Sequence, residues 1–286
     1  MTNRRGFTLI EIMISLTIML IAMGAVSKLM LSTQRLSRGQ AERTTLQSNV
    51  RIGSLMILND LRELNTVTGG LAGQNDILAI AATDITYRGM RGVGFLCQAA
   101  TATQLRVNRS SFSGYRDPLA VRDGLYAFIE GPDPDSETDD SWLPVAITAV
   151  STTTACPGTI GAGITLTTPN TAALVGLTAG TPIRFYEVMQ VKLHQADGKS
   201  WLGARSVSAG EAIQPVLGPL ADGNGLLLEY FTAAAAVTTD PKAIKSIRVT
   251  LRGISDGAIN AGIAGSPTNV QEELVSQVAL RNALRP

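Results

Sequence analysis

The chain has 286 residues, which is enough for one good-sized hydrophobic core or two small ones. Its 24 lysines and arginines nearly balance its 23 aspartates and glutamates, which argues against a strongly basic nucleic-acid-binding protein. Only 16% of the residues are charged and 5% are aromatic, a composition that suits a β-rich exported domain with many turns.

The first predicted element is an apolar helix that runs from Phe7 to Val26. About 20 helical residues, each rising ~1.5 Å, match the ~30 Å hydrocarbon thickness of a bilayer. Arg4 and Arg5 precede the helix, so the positive-inside rule predicts a cytoplasmic N-terminus. No clear small-residue cleavage site follows it, which disfavours a secretory signal peptide and leaves a plain signal anchor as the alternative.

One ionisable residue, Glu11, lies about one helical turn inside this apolar stretch. A carboxylate at that depth is costly unless a partner neutralises it, so intramembrane acids are functional candidates by default. The alternative interpretation is a tolerated buried acid without a partner.

The segment from Arg5 to Glu11, with the sequence RGFTLIE, resembles the processing site of type IV prepilins and type II secretion pseudopilins. The hexapeptide leader, Gly6 before the cut, Phe7 after it and Glu11 at the fifth mature position all match. The resemblance implies cleavage between Gly6 and Phe7 by the prepilin peptidase and N-methylation of Phe7. It also implies extraction from the inner membrane into a helical filament.

The chemistry of this segment agrees with the resemblance. Cleavage would create a positively charged amine on Phe7, one helical turn from Glu11, and the two charges attract strongly in a low dielectric. In a filament the partner of Glu11 could be the amine of a neighbouring subunit, which would set the axial register. The precursor has no amine there, so assembly would depend on processing.

The helix is predicted to continue beyond the membrane to Leu64, because no proline occurs before Pro118 and the apolar residues keep helical spacing. Gly53 lies on the apolar face, where a small residue would allow another element to approach closely. The alternative is a break near residues 37–39. Many major pilins have a proline in this helix, and this chain departs from that pattern. The apolar stripe comprises Leu46, Val50, Ile57, Leu61 and Leu64.

Beyond the glycine-rich run at residues 68–73, short apolar or alternating runs separated by turn residues predict antiparallel strands. A short helical turn is expected at residues 172–177. The predicted strands are Ile77–Ala81, Ile85–Arg88, Gln104–Asn108, Leu125–Ile129, Leu143–Val150, Ile164–Thr167, Ile183–His194, Leu226–Phe231, Ile244–Ile254 and Glu273–Leu280.

The predicted fold is α+β and type IV pilin-like, with a long N-terminal helix packed on a β-rich antiparallel head. The predicted organisation is a leader at residues 1–6, a helix at 7–64 with its membrane-spanning part at about 7–27, and a head at 65–286.

The C-terminal strands and the loop between them resemble the ending of PilW-type minor pilins and, in related form, of J-type pseudopilins. The segment from Gly92 to Cys97 loosely resembles a glycine/cysteine segment of PilW-like proteins. Head length favours the pilus branch, and Glu11 argues against the K-type pseudopilin. Competence and other pilus-like systems remain alternatives.

Cys97 and Cys156 are the only cysteines, and the expected topology places both in an oxidising compartment. A disulfide between them is predicted; the alternative is two buried thiols too far apart to bond. No cysteine/histidine cluster suggests zinc, and the single histidine, His194, has no accompanying nucleophile signature. The sequence predicts no enzyme activity and no cofactor.

The sharpest local charge feature is the acidic segment at residues 133–140. Its carboxylates could gather around Ca²⁺, although an EF-hand loop is excluded because Thr138 stands where the glycine belongs. We interpret the segment as a solvated loop, and no metal site is predicted. The weak calcium candidates are Asp133, Asp135, Glu137 and Asp139.

Several arginines could share a face of the head, but few aromatic residues accompany them, so nucleic-acid binding is not expected. These arginines are Arg88, Arg91, Arg106, Arg109 and Arg116.

The predicted function is that of a minor pilin that helps to prime type IV pilus assembly and lies at or near the filament tip. The alternatives are a J-type pseudopilin of a type II secretion system and a tip adhesin or DNA-binding minor pilin. The resemblance implies three kinds of partner: other minor pilins and the major pilin, the prepilin peptidase, and the inner-membrane assembly platform. The expected location is the inner membrane with a periplasmic head, and later the extracellular pilus.

Overall fold

A computed structural model describes residues 8–66, 75–133, 135, 139–158, 162–258 and 268–281. The chain divides into two compact units. The first comprises Met1–Ser48 with Ile254–Glu272, and the second comprises Asn49–Gly253 with Glu273–Pro286.

The helix α1 runs without interruption from Leu9 to Arg62. The expected alternative of a break near residues 37–39 is wrong, because Gly39 alone costs a helix only about 1 kcal/mol and no proline removes a backbone donor. Serine and threonine hydroxyl groups along the helix donate hydrogen bonds to backbone carbonyls three or four residues earlier. These hydroxyls therefore have hydrogen-bond partners within the helix itself. Examples are Ser15 to the Glu11 carbonyl and Ser32 to the Leu29 carbonyl, both at 2.8 Å.

Fourteen strands lie in the described residues, and all of them follow α1 in the chain. They are β1 Ile77–Ala81, β2 Asp84–Phe95, β3 Gln104–Asn108, β4 Ser113–Gly114, β5 Asp123–Ile129, β6 Ser141–Ala146, β7 Ala149–Ser151, β8 Gly163–Thr167, β9 Pro182–Ala196, β10 Lys199–Ser206, β11 Gln214–Leu220, β12 Leu226–Phe231, β13 Ser246–Ile254 and β14 Gln271–Ala279. Short 3₁₀ turns occur at Arg109–Ser111, Ala172–Leu174 and Pro241–Ala243.

Seven of the eleven strands of the main sheet lie side by side in the order β1-β2-β9-β10-β11-β13-β12. Four further strands attach to its sides: β4 to β2, β5 to β9, β6 to β5 and β14 to β13. A second sheet has the order β3-β8-β7. The central pairings, including β2 with β9 and β5 with β9, are antiparallel, as predicted.

One hydrophobic core lies between the second sheet and the part of the main sheet formed by β5, β6 and β9. Leu105, Val107, Ile164 and Leu166 of the second sheet share this cluster with residues of the main sheet that include Phe185. Because side chains alternate along a strand, the intervening residues of β5, β6 and β9 lie on the opposite face of the main sheet.

The C-terminal part of α1 packs on the sheet of the second unit. The Tyr87 hydroxyl donates to the Asp60 carboxylate at 2.8 Å, and the Ser54 hydroxyl donates to the Ser276 hydroxyl at 3.1 Å. A Cβ atom on Gly53 would lie 2.8 Å from Leu217 Cδ2, which confirms the predicted close approach. The predicted apolar stripe is also confirmed, since Val50, Ile57, Leu61 and Leu64 are buried in this unit and Leu46 is buried in the first unit.

Most predicted strands agree with the structure, with three differences. The run predicted at residues 143–150 forms two strands, β6 and β7, on different sheets, and β2 is longer than expected. The strands β4, β10 and β11 were not predicted. Two prolines in β11 and a glycine in β10 conceal these strands, because both residue types normally disfavour a strand interior.

Candidate functional site

The candidate site is the N-terminal part of α1, whose apolar surface is unpaired within the described chain. Every large apolar side chain from Leu9 to Val26 is exposed. Among the described residues, α1 is the one helix that is long and apolar enough to cross a membrane. A contiguous apolar surface of this extent is unfavourable in water, so it requires a membrane or other apolar helices.

Glu11 lies in the first turn of this helix and forms a capping box with Thr8. The Glu11 carboxylate accepts hydrogen bonds from the Thr8 backbone N–H at 2.9 Å and from the Thr8 hydroxyl at 3.0 Å. In return, the Glu11 N–H donates to the Thr8 hydroxyl oxygen at 3.4 Å. This reciprocal pattern satisfies N–H groups that have no partner within the helix. The spacing Thr-x-x-Glu could have revealed the box, but sequence reasoning missed it.

The other residues predicted at the processing site lie outside the described residues. These are Arg4 and Arg5 of the leader, and Gly6 and Phe7 at the cleavage position. The pairing of Glu11 with the Phe7 amine therefore stays a prediction, whereas its contacts with Thr8 are part of the structure.

Cys97 and Cys156 are joined in a disulfide, with their Cα atoms 5.8 Å apart. Cys97 follows β2 of the main sheet, and Cys156 precedes β8 of the second sheet. The bond therefore ties together the two sheets that enclose the hydrophobic core.

Asp76 is a buried carboxyl just before β1 that connects three segments. It accepts hydrogen bonds from the Asn65 N–H and from the Tyr126 hydroxyl, both at 2.7 Å. Arg88 donates to the Tyr126 oxygen at 3.0 Å, and its guanidinium lies over the rings of Tyr126 and Tyr186. Burial raises the pKa of Asp76 to about 6, although the hydrogen bonds and nearby arginines oppose that shift.

A second buried acidic residue, Glu187 on β9, gathers three arginines. Its carboxylate lies 2.9 Å from Arg91, 2.6 Å from Arg122 and 3.4 Å from Arg116. Burial alone would raise the pKa of Glu187, but a hydrogen bond from Ser206 and the arginine charges together hold that pKa below its usual range. Asp123 completes the cluster through a two-pronged contact with Arg116 at 2.5 and 2.9 Å. The cluster fixes the segment before β5 to the main sheet.

The five arginines considered for nucleic-acid binding do not form a free basic face. Arg88 and Arg91 contact the buried groups just described, and Arg116 contacts Asp123. Arg106 donates to Gln98 at 3.0 Å, and Arg109 pairs with Asp117 at 2.8 Å. Each of the five arginines thus makes an intramolecular polar contact.

The acidic loop and His194 show no catalytic or metal arrangement in the part of the chain that the structure describes. Asp139 accepts from the Asp133 N–H at 3.0 Å, and the Asp135 N–H donates to Asp133 at 3.2 Å, so the loop carboxylates cap backbone groups. Glu137 lies outside the described residues. No group of three histidine, cysteine or acidic residues with metal-binding geometry occurs among those described. His194 pairs across the sheet with Trp201.

Comparison with known proteins identifies one family model, the prokaryotic N-terminal methylation motif, which matches residues 1–27. No curated protein and no solved structure matches the chain. The motif supports a type IV pilin or pseudopilin family and points to a structural subunit rather than an enzyme. It implies processing by the prepilin peptidase and assembly with other pilins in a membrane-associated system. The chain therefore combines the N-terminal motif of type IV pilins and pseudopilins with a pilin-like α+β fold.

Proposed function

We propose that the chain is a PilW-type minor pilin that helps to prime type IV pilus assembly and is incorporated at or near the filament tip. The observation that carries the proposal is the methylation motif followed by an exposed apolar helix with a single acidic residue, Glu11, in its membrane-spanning part. The helix would first lie in the inner membrane, with the head in the periplasm, and then pack among the helices of a filament.

The proposed sequence of events begins with cleavage between Gly6 and Phe7. The new amine of Phe7 and the carboxylate of Glu11 then form an ion pair between neighbouring subunits, which relieves the cost of keeping either charge among apolar helices. Thr8 holds the Glu11 carboxylate at the helix start until the neighbouring subunit arrives. Other minor pilins, the major pilin and the inner-membrane platform are the proposed partners.

Deletion of the gene tests this proposal. We expect loss of surface pili, restored by the wild-type gene, with secretion of exoproteins unchanged. Intact pili with exoproteins retained in the periplasm would instead identify a J-type pseudopilin. Normal piliation with loss of adherence or DNA uptake would identify a receptor at the tip, and either of these results would overturn the priming role.

A further inference from the structure

The outer face of the main sheet carries a patch of aromatic and apolar side chains around one arginine. The patch consists of Val93 and Phe95 on β2, Arg184 on β9, Phe128 on β5 and Trp142 on β6. On the same strands, the alternating residues Leu125, Ala127, Ile183 and Phe185 belong to the buried core. The patch therefore faces away from that core.

The strand register brings these side chains together. Arg184 lies directly opposite Val93 on one side and opposite Tyr126 on the other, and Phe128 lies opposite Trp142. Directly opposed residues in an antiparallel pair have Cβ atoms only about 5 Å apart. The Phe128 and Trp142 rings are 5.3 Å apart, so the patch is continuous across four strands.

Two features set this patch apart from an ordinary sheet surface. Val93 and Phe95 are large apolar residues that are 38% and 44% exposed. The guanidinium of Arg184 lies over the Trp142 ring, 5.3 Å from its centroid. Among the residues that the structure describes, no carboxylate lies within ion-pair distance of Arg184 and no acceptor takes a hydrogen bond from its side chain.

Arg184 thus lies against an aromatic ring, and its hydrogen-bond donors meet no acceptor among the described residues. A guanidinium offers five N–H donors in a planar fork that matches a carboxylate. Arg91, Arg116 and Arg122, by contrast, form ion pairs with Glu187 or Asp123. Arg184 lies near a buried acid, Asp76, but the Asp76 carboxylate is already bonded to Asn65 and Tyr126.

We propose that this patch is a docking surface for a partner protein that presents a carboxylate beside an apolar side chain. The carboxylate would accept two hydrogen bonds from Arg184, and the apolar group would cover Val93 and Phe95. Trp, Tyr and Arg are the residue types that dominate binding at protein interfaces. A stacked sugar is disfavoured because the guanidinium already covers one face of Trp142.

The test places a photo-crosslinking amino acid at position 95 of the full-length protein in the producing cell. Position 237 is the matched control, since Val237 is an exposed apolar residue elsewhere in the head. We expect a protein crosslink from position 95 that exceeds the yield from position 237, and a crosslinked segment that contains Asp or Glu. Crosslinks to polysaccharide or lipid, or equal yields at both positions, would overturn the proposal.

Variants of Arg184 distinguish a specific contact from non-specific hydrophobic association. Arg184→Met should lower the crosslink yield from position 95 by about tenfold or more, the factor expected for losing a charge-assisted contact. Arg248→Met removes an equal charge from a surface pair with Glu229 and should leave the yield unchanged. If Arg184→Met does not fold, Arg184→Lys can replace it. Lysine keeps the charge but lacks the planar guanidinium, so this variant should still lower the crosslink yield from position 95. An unchanged yield in the folded variant contradicts the proposal, and piliation assays score the priming role separately.

Discussion

Thr8 and Glu11 hold each other at the start of α1: the Glu11 carboxylate takes two hydrogen bonds from Thr8, and the Glu11 N–H bonds to the Thr8 hydroxyl. The carboxylate therefore has a local role, helix capping, besides the proposed pairing with an amine. The two roles make different demands, since a cap needs only an oxygen acceptor and an ion pair needs a negative charge.

Glu11→Gln separates these roles because it keeps an oxygen acceptor and removes the charge. We expect the Gln variant, like Glu11→Leu, to be processed and retained in the membrane but poorly incorporated into filaments. Thr8→Val removes the hydroxyl and should weaken the helix start by about 1 kcal/mol while incorporation persists. Quantifying each variant in sheared pili and in membranes checks the expectation. Normal incorporation of Glu11→Gln would leave capping as the role of Glu11.

Asp76 should make the head less stable as pH rises from about 4 to 6. Its pKa is about 6 in the folded protein, against a usual value of 3.8. Below pH 3.8, Asp76 is protonated in both the folded and the unfolded protein, and its contribution to the free energy of unfolding is fully present. As pH rises, the unfolded chain ionises first, so the free energy of unfolding falls by about 3 kcal/mol across this window.

The Asp76→Asn variant isolates that contribution from the other acids of the protein. Urea unfolding of the purified full-length protein in detergent, followed from pH 4 to pH 8, provides the measurement. The difference between wild type and variant should be largest at low pH and shrink as pH rises. A difference that does not vary with pH would show that Asp76 titrates normally.

Gly53 should tolerate one added methyl group but not a large side chain. A Cβ atom there meets the flexible end of Leu217, which can rotate, and the gain of about 1 kcal/mol in helix propensity offsets the contact. Gly53→Ala is therefore expected to be nearly neutral, whereas Gly53→Leu should destabilise the head by about 1–3 kcal/mol through overpacking. Gly24 has no atom within 4 Å of an added Cβ, so Gly24→Leu is the matched control. The measurement is thermal unfolding of Gly53→Ala, Gly53→Leu and Gly24→Leu, each compared with the wild type.

Much of the fold follows from local patterns, and the rest depends on contacts between distant residues. The apolar stripe from Leu46 to Leu64 predicts the packed face of α1, and absence of proline predicts its continuity. The Asp197-Gly198 turn, with φ of 52° and 72°, could also have revealed β10, because such a pair joins hairpin strands. By contrast, Pro215 and Pro219 hide β11, whose pairing only the assembled sheet specifies.

In the candidate site, too, some features follow from local sequence patterns and others depend on contacts between distant residues. The spacing of Thr8 and Glu11 contains the capping box, so a closer reading of the sequence would have found it. No local signal joins Glu187 to Arg91, Arg116 and Arg122, because these residues come from separate segments that meet only when β2, β5 and β9 pair.

Glu187 should be far more important to stability than a surface acid. Glu187→Gln removes the buried carboxylate that Arg91, Arg116 and Arg122 share, and removing one member of a buried ion pair costs about 3–5 kcal/mol. Glu229→Gln breaks the exposed pair with Arg248 and should cost about 1 kcal/mol or less. Chemical denaturation of both variants at neutral pH gives the comparison, and equal losses would mean that the cluster is no more than a surface network.

The most direct test of the assembly role is the mass of the mature N-terminus in protein isolated from the cell that makes it. We predict a chain that begins at Phe7 and carries one methyl group on its amine, and Gly6→Leu should instead leave the full precursor. Intact Met1, or a first residue other than Phe7, in the native protein would contradict the account.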